Sequence, residues 1–98
     1  GLVGSEMCIR DRPSRNQPLI AALGVEVKVR RLEIGLSQED VAGRCDLDRP
    51  YITMIESGRK QPTISVMYRL ALALDLTLAE LSARVEARHE AILALSAE

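Results

Sequence analysis

The sequence predicts an all-α fold of five helices, and three observations carry this prediction. No segment sustains the alternation of apolar and polar residues that a half-buried strand shows. Apolar residues instead recur at three- and four-residue spacing in several segments. Residue types that favour helix N-caps precede these segments, at Ser37, Asp48, Thr63 and Thr77.

The first helix is predicted over 19–34. Three valines alternate between positions 25 and 29, which is the best case for β structure in this chain. Against a strand, four residues that extend further along the segment follow the three- and four-residue spacing of a helix. This set is Leu23, Val27, Arg31 and Ile34.

Two short helices joined by a tight turn are predicted in the middle of the chain. The first, over 38–45, begins after the N-cap Ser37, and Asp40 places negative charge beside the free amides of its first turn. Asp46 lies where the chain must turn, since Asp tolerates a left-handed backbone better than most residues other than glycine. Leu47 is expected to anchor the turn in the core. This is the layout of a DNA-reading helix-turn-helix.

The second of these short helices is predicted over 49–57. Asp48 is its expected N-cap, and Pro50 is tolerated in the first turn because no intrahelical donor is lost there. Ile52 and Ile55, three residues apart, are expected to face inward. A glycine follows the helix and favours its termination.

The last two helices are predicted over 64–74 and from Leu78 onward. The core of the resulting bundle should be aliphatic, since the chain has two tyrosines and no phenylalanine or tryptophan. Cys45 is expected to be a small core residue, with a reactive thiol as the alternative. The predicted core residues are Leu23, Val27, Ile34, Leu36, Val41, Leu47, Ile52, Ile55, Ile64, Leu70, Leu74, Leu76 and Leu81.

The segment from 20 to 82 resembles the XRE family of helix-turn-helix regulators, which has the fold of phage Cro and lambda-type repressors. The resemblance rests on the sequences GLSQ at 35–38, YITMIESG at 51–58 and PT at 62–63. Asp46 departs from the family, which most often has glycine there. The resemblance implies a compact, lambda-repressor-like DNA-binding domain over 19–82 with an extended C-terminal helix over 83–98. It also implies a sequence-specific transcriptional regulator, acting as a repressor.

The same resemblance implies roles for individual residues. Arg31 and Glu56 match the family positions where an arginine of the first helix and a glutamate of the third form a partly buried ion pair. The alternative is that both side chains point to solvent. Gln38 matches the phosphate-binding glutamine of the family, and the free amides at the start of its helix favour an anion there.

The outward face of the helix over 49–57 is the candidate reading surface, because an α-helix fits the major groove and its N-terminal residues reach base edges. Arg49 suits a bidentate contact to guanine, and Thr53 suits a thymine methyl or a hydrogen bond. Met54 either contacts thymine or is merely exposed. The predicted base contacts are Arg49, Pro50, Thr53 and Met54.

Phosphate contacts are expected on both sides of this face, where they would position the domain without reading sequence. For Arg59 and Lys60 the alternative is ordinary solvation of a loop. The predicted phosphate contacts are Ser37, Gln38, Tyr51, Arg59 and Lys60.

One such domain meets few bases, so a homodimer on a palindromic operator is expected, with half-sites one helical turn apart. The C-terminal helix carries apolar residues at heptad-like spacing, interrupted by Arg88, over fewer than three heptads. The alternative is that this helix packs on its own bundle and frays after Ala87. The predicted dimerisation residues are Leu78, Leu81, Val85, Ile92 and Leu95.

The ends and the composition set further bounds. Residues 1–12, GLVGSEMCIRDR, resemble a translated sequencing adapter and are left out of fold reasoning, with a genuine disordered N-terminus as the alternative. Together with a flexible, polar lead-in they form the segment 1–18.

The net charge is −1, so any positive DNA-facing surface must come from uneven distribution. The absence of a cysteine framework, metal-ligand cluster or long apolar span predicts a cytoplasmic protein with no membrane segment, metal or cofactor.

Two other functions compete with a free-standing repressor. The first is an antitoxin that represses its own operon and binds a toxin, for which the alanine-rich segment 82–98 would serve. The second is a helix-turn-helix module that binds a protein partner and leaves DNA alone, which the near-neutral charge and the apolar Met54 favour. The sequence lacks a nucleophile–base pair, a metal site and a phosphate loop, so we expect no enzyme.

Overall fold

The computed structural model describes residues 15–97, and every regular element in that range is a helix. The predicted all-α, five-helix fold is therefore confirmed. The interpretation of residues 1–12 as an adapter lies outside the described residues. The helices are α1 (Gln17–Glu33), α2 (Gln38–Cys45), α3 (Arg49–Glu56), α4 (Ile64–Ala73) and α5 (Leu78–Ala97).

The helix ends differ slightly from the prediction. The helix α1 begins at Gln17, two residues early, because the side chain of Asn16 caps it by accepting a hydrogen bond from the amide of Leu19 at 3.1 Å. Pro18 fits this first turn without losing an intrahelical donor. The last two residues of the predicted lead-in are thus helical. The helices α1, α3 and α4 each end one residue before the predicted position.

The turn between α2 and α3 has the geometry that its sequence favours. Asp46 adopts the left-handed conformation, with φ 60° and ψ 42°. The amide of Leu47 then donates to the carbonyl of Ala42 at 2.9 Å, which satisfies one of the free carbonyls at the end of α2. Leu47 packs against the core from this turn.

Asp48 occupies the N-cap position of α3, but its side chain makes no capping hydrogen bond, so the predicted cap is wrong in that respect. The reason lies in the next residues. Pro50 has no N–H to offer, and the amide of Tyr51 donates to the backbone carbonyl of Asp48 at 3.0 Å. The carboxylate of Asp48 therefore finds no donor in the first turn.

Most of the predicted core is buried, and Ile64 is the clear error. Its side chain is 71% exposed, because the rotation of α4 places it with Tyr68 and Leu72 on the outward face, while Leu70 and Leu74 face inward. Four other predicted residues are only partly buried: Ile34, Leu36, Leu47 and Leu76. Ala42 and Ala71, which the spacing of their helices places on inner faces, are also buried, and the core further includes four residues that were not predicted: Ile20, Ala22, Ala73 and Val85.

Cys45 is a core residue, as the spacing of α2 predicts. It is buried, and its thiol lies 3.6 Å from the carbonyl oxygen of Arg69. Burial raises the pKa of the Cys45 thiol, which opposes formation of the reactive thiolate.

The helix α1 packs against both α3 and α5. Gly24 lies at its crossing with α3, where an added Cβ would come within 2.8 Å of the carbonyl oxygen of Glu56. Only glycine allows this close approach of the two backbones. The crossing therefore fixes the position of α3, which carries the candidate reading face.

Candidate nucleic-acid interface

The helix α2 begins with a reciprocal capping box. The amide of Asp40 donates to Oγ of Ser37 at 3.0 Å, and the amide of Ser37 donates to Oδ2 of Asp40 at 2.9 Å. The hydrogen bond from the Ser37 backbone holds the pKa of the Asp40 carboxyl below its usual value. The start of α2 is thereby held in a defined geometry beside α3.

The outer face of α3 carries the predicted base contacts. Arg49, Pro50 and Met54 are exposed and Thr53 is half-buried, while Ile52 and Ile55 are fully buried on the opposite face. These four predicted residues therefore lie together on one side of the helix, and the burial of the two isoleucines fixes which side that is.

Arg49 is the charged side chain among these four. It is 62% exposed, and its nearest acid, Glu39 on α2, lies 4.0 Å away and is itself largely exposed. An ion pair of this kind contributes little in water. The guanidinium can therefore leave Glu39 for another acceptor at small cost.

Arg31 and Glu56 form a two-point ion pair beneath this face. Nε and Nη2 of Arg31 donate to the two carboxylate oxygens of Glu56 at 2.7 and 3.1 Å, and the side chains are only 9% and 6% exposed. The remaining guanidinium nitrogen, Nη1, donates to the carbonyl of Leu36 at 3.0 Å. The pair links α1 to the end of α3.

Gln38 and Thr53 extend this pair to the surface. The amide nitrogen of Gln38 donates to Oε1 of Glu56 at 3.1 Å, and its amide oxygen accepts from the hydroxyl of Thr53 at 2.9 Å. The side chain of Gln38, predicted to bind phosphate, is thus already engaged within the protein. Ser37, also a predicted phosphate contact, is engaged in the capping box.

The remaining predicted phosphate contacts lie near the two ends of α3. Lys60 and Arg59 are exposed just after the helix, and the ammonium of Lys60 lies 5.5 Å from the centre of the Tyr51 ring. Nε of Arg59 donates to the hydroxyl of Ser57 at 3.0 Å. With Arg49 at its first residue, α3 has a cation near each of its two ends.

A second charged cluster lies between α1 and α5, and sequence reasoning missed it. Buried Glu26 accepts hydrogen bonds from Arg84 at 3.1 Å and from Arg88 at 2.7 Å. Arg84 also donates to Glu33 at 3.1 Å, which lowers the pKa of that carboxyl. The available signal was the four-residue spacing of the two arginines, which places them on one face of α5.

This packing changes the interpretation of α5 as a dimerisation element. Leu81 and Val85 are buried in the core of the domain, so they are not available to a second chain. Leu78 and Ile92 are half-buried, and only Leu95 of the predicted set is exposed. The apolar residues in the first half of α5 therefore pack within their own bundle. The helix does not fray after Ala87 but continues to Ala97.

Two other kinds of site are absent from residues 15–97. No group of three or more histidine, cysteine and acidic side chains there is arranged to hold a metal ion. No helix in that same range is long and apolar enough to cross a membrane.

The chain is similar to known proteins over the helix-turn-helix and the helices that flank it. A family model described as Helix-turn-helix matches residues 27–81. An uncharacterized HTH-type transcriptional regulator, y4dJ of Sinorhizobium fredii, is 41% identical over 51 residues, which are 52% of this chain and 66% of the relative. Control protein C.MunI of a Mycoplasma species is 36% identical over 59 residues, which are 60% of this chain and 80% of the relative.

Solved structures show the same architecture. The restriction-modification controller protein C.AhdI from Aeromonas hydrophila superposes with a TM-score of 0.61 at 34% identity, covering 63% of this chain and 94% of that protein. The restriction-modification controller protein C.Esp1396I, as a tetramer in complex with its natural 35-base-pair operator, superposes with a TM-score of 0.68 at 28% identity. That match covers 72% of this chain and 93% of the controller.

Proposed function

This chain belongs to the helix-turn-helix family, and from that premise we propose that it binds double-stranded DNA sequence-specifically and represses transcription. The recognition helix is α3. The observation that carries the proposal is the shared outer face of Arg49, Pro50 and Met54, held in place by buried Ile52 and Ile55. Such a face fits the major groove, where base edges are read.

The distribution of charge supports the same placement. The net charge of −1 provides no general attraction to DNA, but Arg49, Arg59 and Lys60 place cations at both ends of α3. Phosphates that flank the groove would meet Arg59 and Lys60, while Arg49 and the other side chains on the outer face of α3 would meet bases. The amides at the start of α2 offer a further phosphate site that does not need the side chain of Gln38.

The proposed regulator acts as a homodimer on a palindromic operator. One reading helix contacts only a few base pairs, and two copies double the number of contacts. The solved relative C.Esp1396I is described as a tetramer on its operator. With Leu81 and Val85 buried in the bundle, the proposed contact moves to the end of α5, where Leu93 and Leu95 are exposed.

The direct test is selection of binding sites from randomised duplex DNA, using the full chain beside Arg49→Ala. Arg69→Ala is the matched control, since it removes another exposed arginine, from α4. We expect an enriched palindrome, loss or relaxation of the preference at one position in Arg49→Ala, and an unchanged motif in Arg69→Ala. If no motif is enriched at moderate salt, the proposal is wrong.

A protein-binding module is the second candidate, favoured by the exposed Met54 on α3 and by Leu93 and Leu95 at the end of α5. An antitoxin would use the same α5 leucines to hold a toxin while α3 reads DNA. Salt dependence separates DNA binding from protein binding alone, because phosphate contacts make the affinity for DNA fall steeply with salt. Weak affinity for DNA that does not change with salt would favour the protein-binding module.

A further inference from the structure

Four side chains form a directed series of hydrogen bonds from the core to the reading face. Arg31 donates to both carboxylate oxygens of Glu56, and the amide nitrogen of Gln38 donates to the same carboxylate. The carboxylate only accepts, so it fixes which end of the Gln38 amide faces it. The amide oxygen of Gln38 must then face Thr53, whose hydroxyl donates to it at 2.9 Å.

This series leaves Thr53 without a proton to offer DNA. A threonine hydroxyl has one proton, and the other neighbour of this hydroxyl, the carbonyl of Arg49 at 3.3 Å, is also an acceptor. Whichever acceptor it meets, the proton is used within the protein. With the hydroxyl held toward Gln38, the staggered geometry at Cβ directs the γ-methyl elsewhere. Thr53 can therefore present its γ-methyl or the lone pairs of its hydroxyl oxygen to a base, but no hydrogen-bond donor.

The neighbours of Thr53 on this face are apolar. Pro50 lies one turn before Thr53, and Met54 lies one turn after Pro50, so the three side chains are adjacent on the helix surface. Pro50 and Met54 are exposed. We call Pro50, Thr53 and Met54 the apolar patch.

We propose that the apolar patch reads thymine through its 5-methyl group, and that the series Arg31–Glu56–Gln38 positions Thr53 for this contact. The thymine 5-methyl is the only methyl group that an unmodified base pair presents in the major groove. This inference rests on the proposed DNA-binding function and adds the chemical group that is recognised. Arg49, at the start of α3, supplies the separate polar contact.

The test uses the full chain and the operator motif obtained by selection from randomised DNA. Each thymine in one half-site is replaced in turn by deoxyuridine, which keeps its base pairing and lacks only the methyl. We expect the affinity to fall about fourfold at one or two positions, the value of one buried carbon group, and about 15-fold when both half-sites are changed. If the affinity falls at none of the substituted positions, the inference is wrong.

Two variants identify the group that makes the contact. Thr53→Ser keeps the hydroxyl and loses the methyl, so the preference for thymine over deoxyuridine should fall toward one. Thr53→Val keeps a methyl and loses the hydroxyl, so that preference should persist even if affinity drops. Thermal unfolding by circular dichroism checks that both variants fold.

The outcomes separate this inference from the proposed function. The reverse pattern, with Thr53→Ser like the wild type and Thr53→Val without the preference, would show that the hydroxyl reads the base and would overturn the inference alone. An enriched motif that is bound equally well with thymine or deoxyuridine at every position would also overturn the inference and leave the proposed function standing. If selection enriches no motif, the proposed function fails and this inference fails with it.

Discussion

Two charged clusters hold α1 to its neighbours, and they differ in what lies around them. The pair between Arg31 and Glu56 joins α1 to α3 and is almost fully enclosed, at 9% and 6% exposure. The cluster around Glu26 joins α1 to α5, and while its carboxylate is 7% exposed, Arg88 is 40% exposed. Both clusters anchor one helix to another, but only the first is connected by hydrogen bonds to the reading face, through Gln38.

This difference predicts that both clusters affect stability, while only the Arg31–Glu56 pair affects DNA recognition. A buried charge that loses its partner stays desolvated, which is strongly destabilising, whereas an arginine at the surface can turn toward water. Disturbing the Arg31–Glu56 pair should therefore lower both the free energy of unfolding and the sequence preference. Disturbing the Glu26 cluster should lower stability and leave the sequence preference unchanged.

The largest effect is expected for Arg31→Ala. It leaves the carboxylate of Glu56 buried without its two-point partner and should lower the free energy of unfolding by about 3–5 kcal/mol. Urea unfolding followed by circular dichroism measures this loss. A loss below about 1 kcal/mol is typical of an ion pair at the surface, and it would contradict the enclosure of the Arg31–Glu56 pair.

Gly24→Ala tests the backbone crossing that places α3. The new Cβ would meet the carbonyl oxygens of Ile55 and Glu56, so α3 must shift, at a cost of about 3 kcal/mol by analogy with overpacked cores. Gly43→Ala is the matched control, because its Cβ would meet nothing within 4 Å in α2. It should raise stability by up to about 1 kcal/mol through helix propensity. Equal effects of the two changes on urea midpoints would argue against a close crossing.

Glu26→Ala tests the cluster between α1 and α5. It removes the acceptor of two charged hydrogen bonds, but Arg84 and Arg88 can turn to solvent, so we expect a loss of about 2 kcal/mol. Urea unfolding measures the loss, and titration with the selected operator measures recognition. An altered sequence preference in this variant would show that the cluster around Glu26 also acts on α3.

The smallest effect belongs to the capping box of α2, outside both clusters. Ser37→Ala should cost about 1 kcal/mol, as for other N-caps. The pKa of Asp40 is lowered in the folded state, so its stabilising contribution is present above the unfolded pKa, about 3.9, and is lost as the pH falls through the folded value. Melting temperatures measured from pH 3 to pH 7 should show a smaller acid loss for Asp40→Asn than for the wild type. Asp48→Asn is the control, since Asp48 makes no capping hydrogen bond.

The parts of the fold that local sequence determines were predicted well. Ser37 and Thr63 accept the capping hydrogen bonds expected of them, and Asp46 makes the left-handed turn. These features depend on a few neighbouring residues, whose types carry the information. The prediction failed at Asp48, where the missing N–H of Pro50 and the engaged amide of Tyr51 removed the donors that a cap needs.

The parts that depend on how helices rotate against one another were predicted less well. Ile64 has the spacing of a core residue but lies on the outer face of α4. Val85 has the spacing of a dimer contact but packs in the core of its own chain. Spacing shows that residues share a face of a helix, and it does not show what that face meets.

The sequence by itself determined the five helices, the turn between α2 and α3, the outward face of α3 and, through the family resemblance, the partnership of Arg31 with Glu56. Only the tertiary structure placed Gln38 between Glu56 and Thr53 and brought Glu26 to the two arginines of α5. Helix formation and capping arise from contacts within a few residues, which a sequence records directly. The direction of a hydrogen bond between distant side chains depends on the crossing of two helices, which is set by the packing of the whole core.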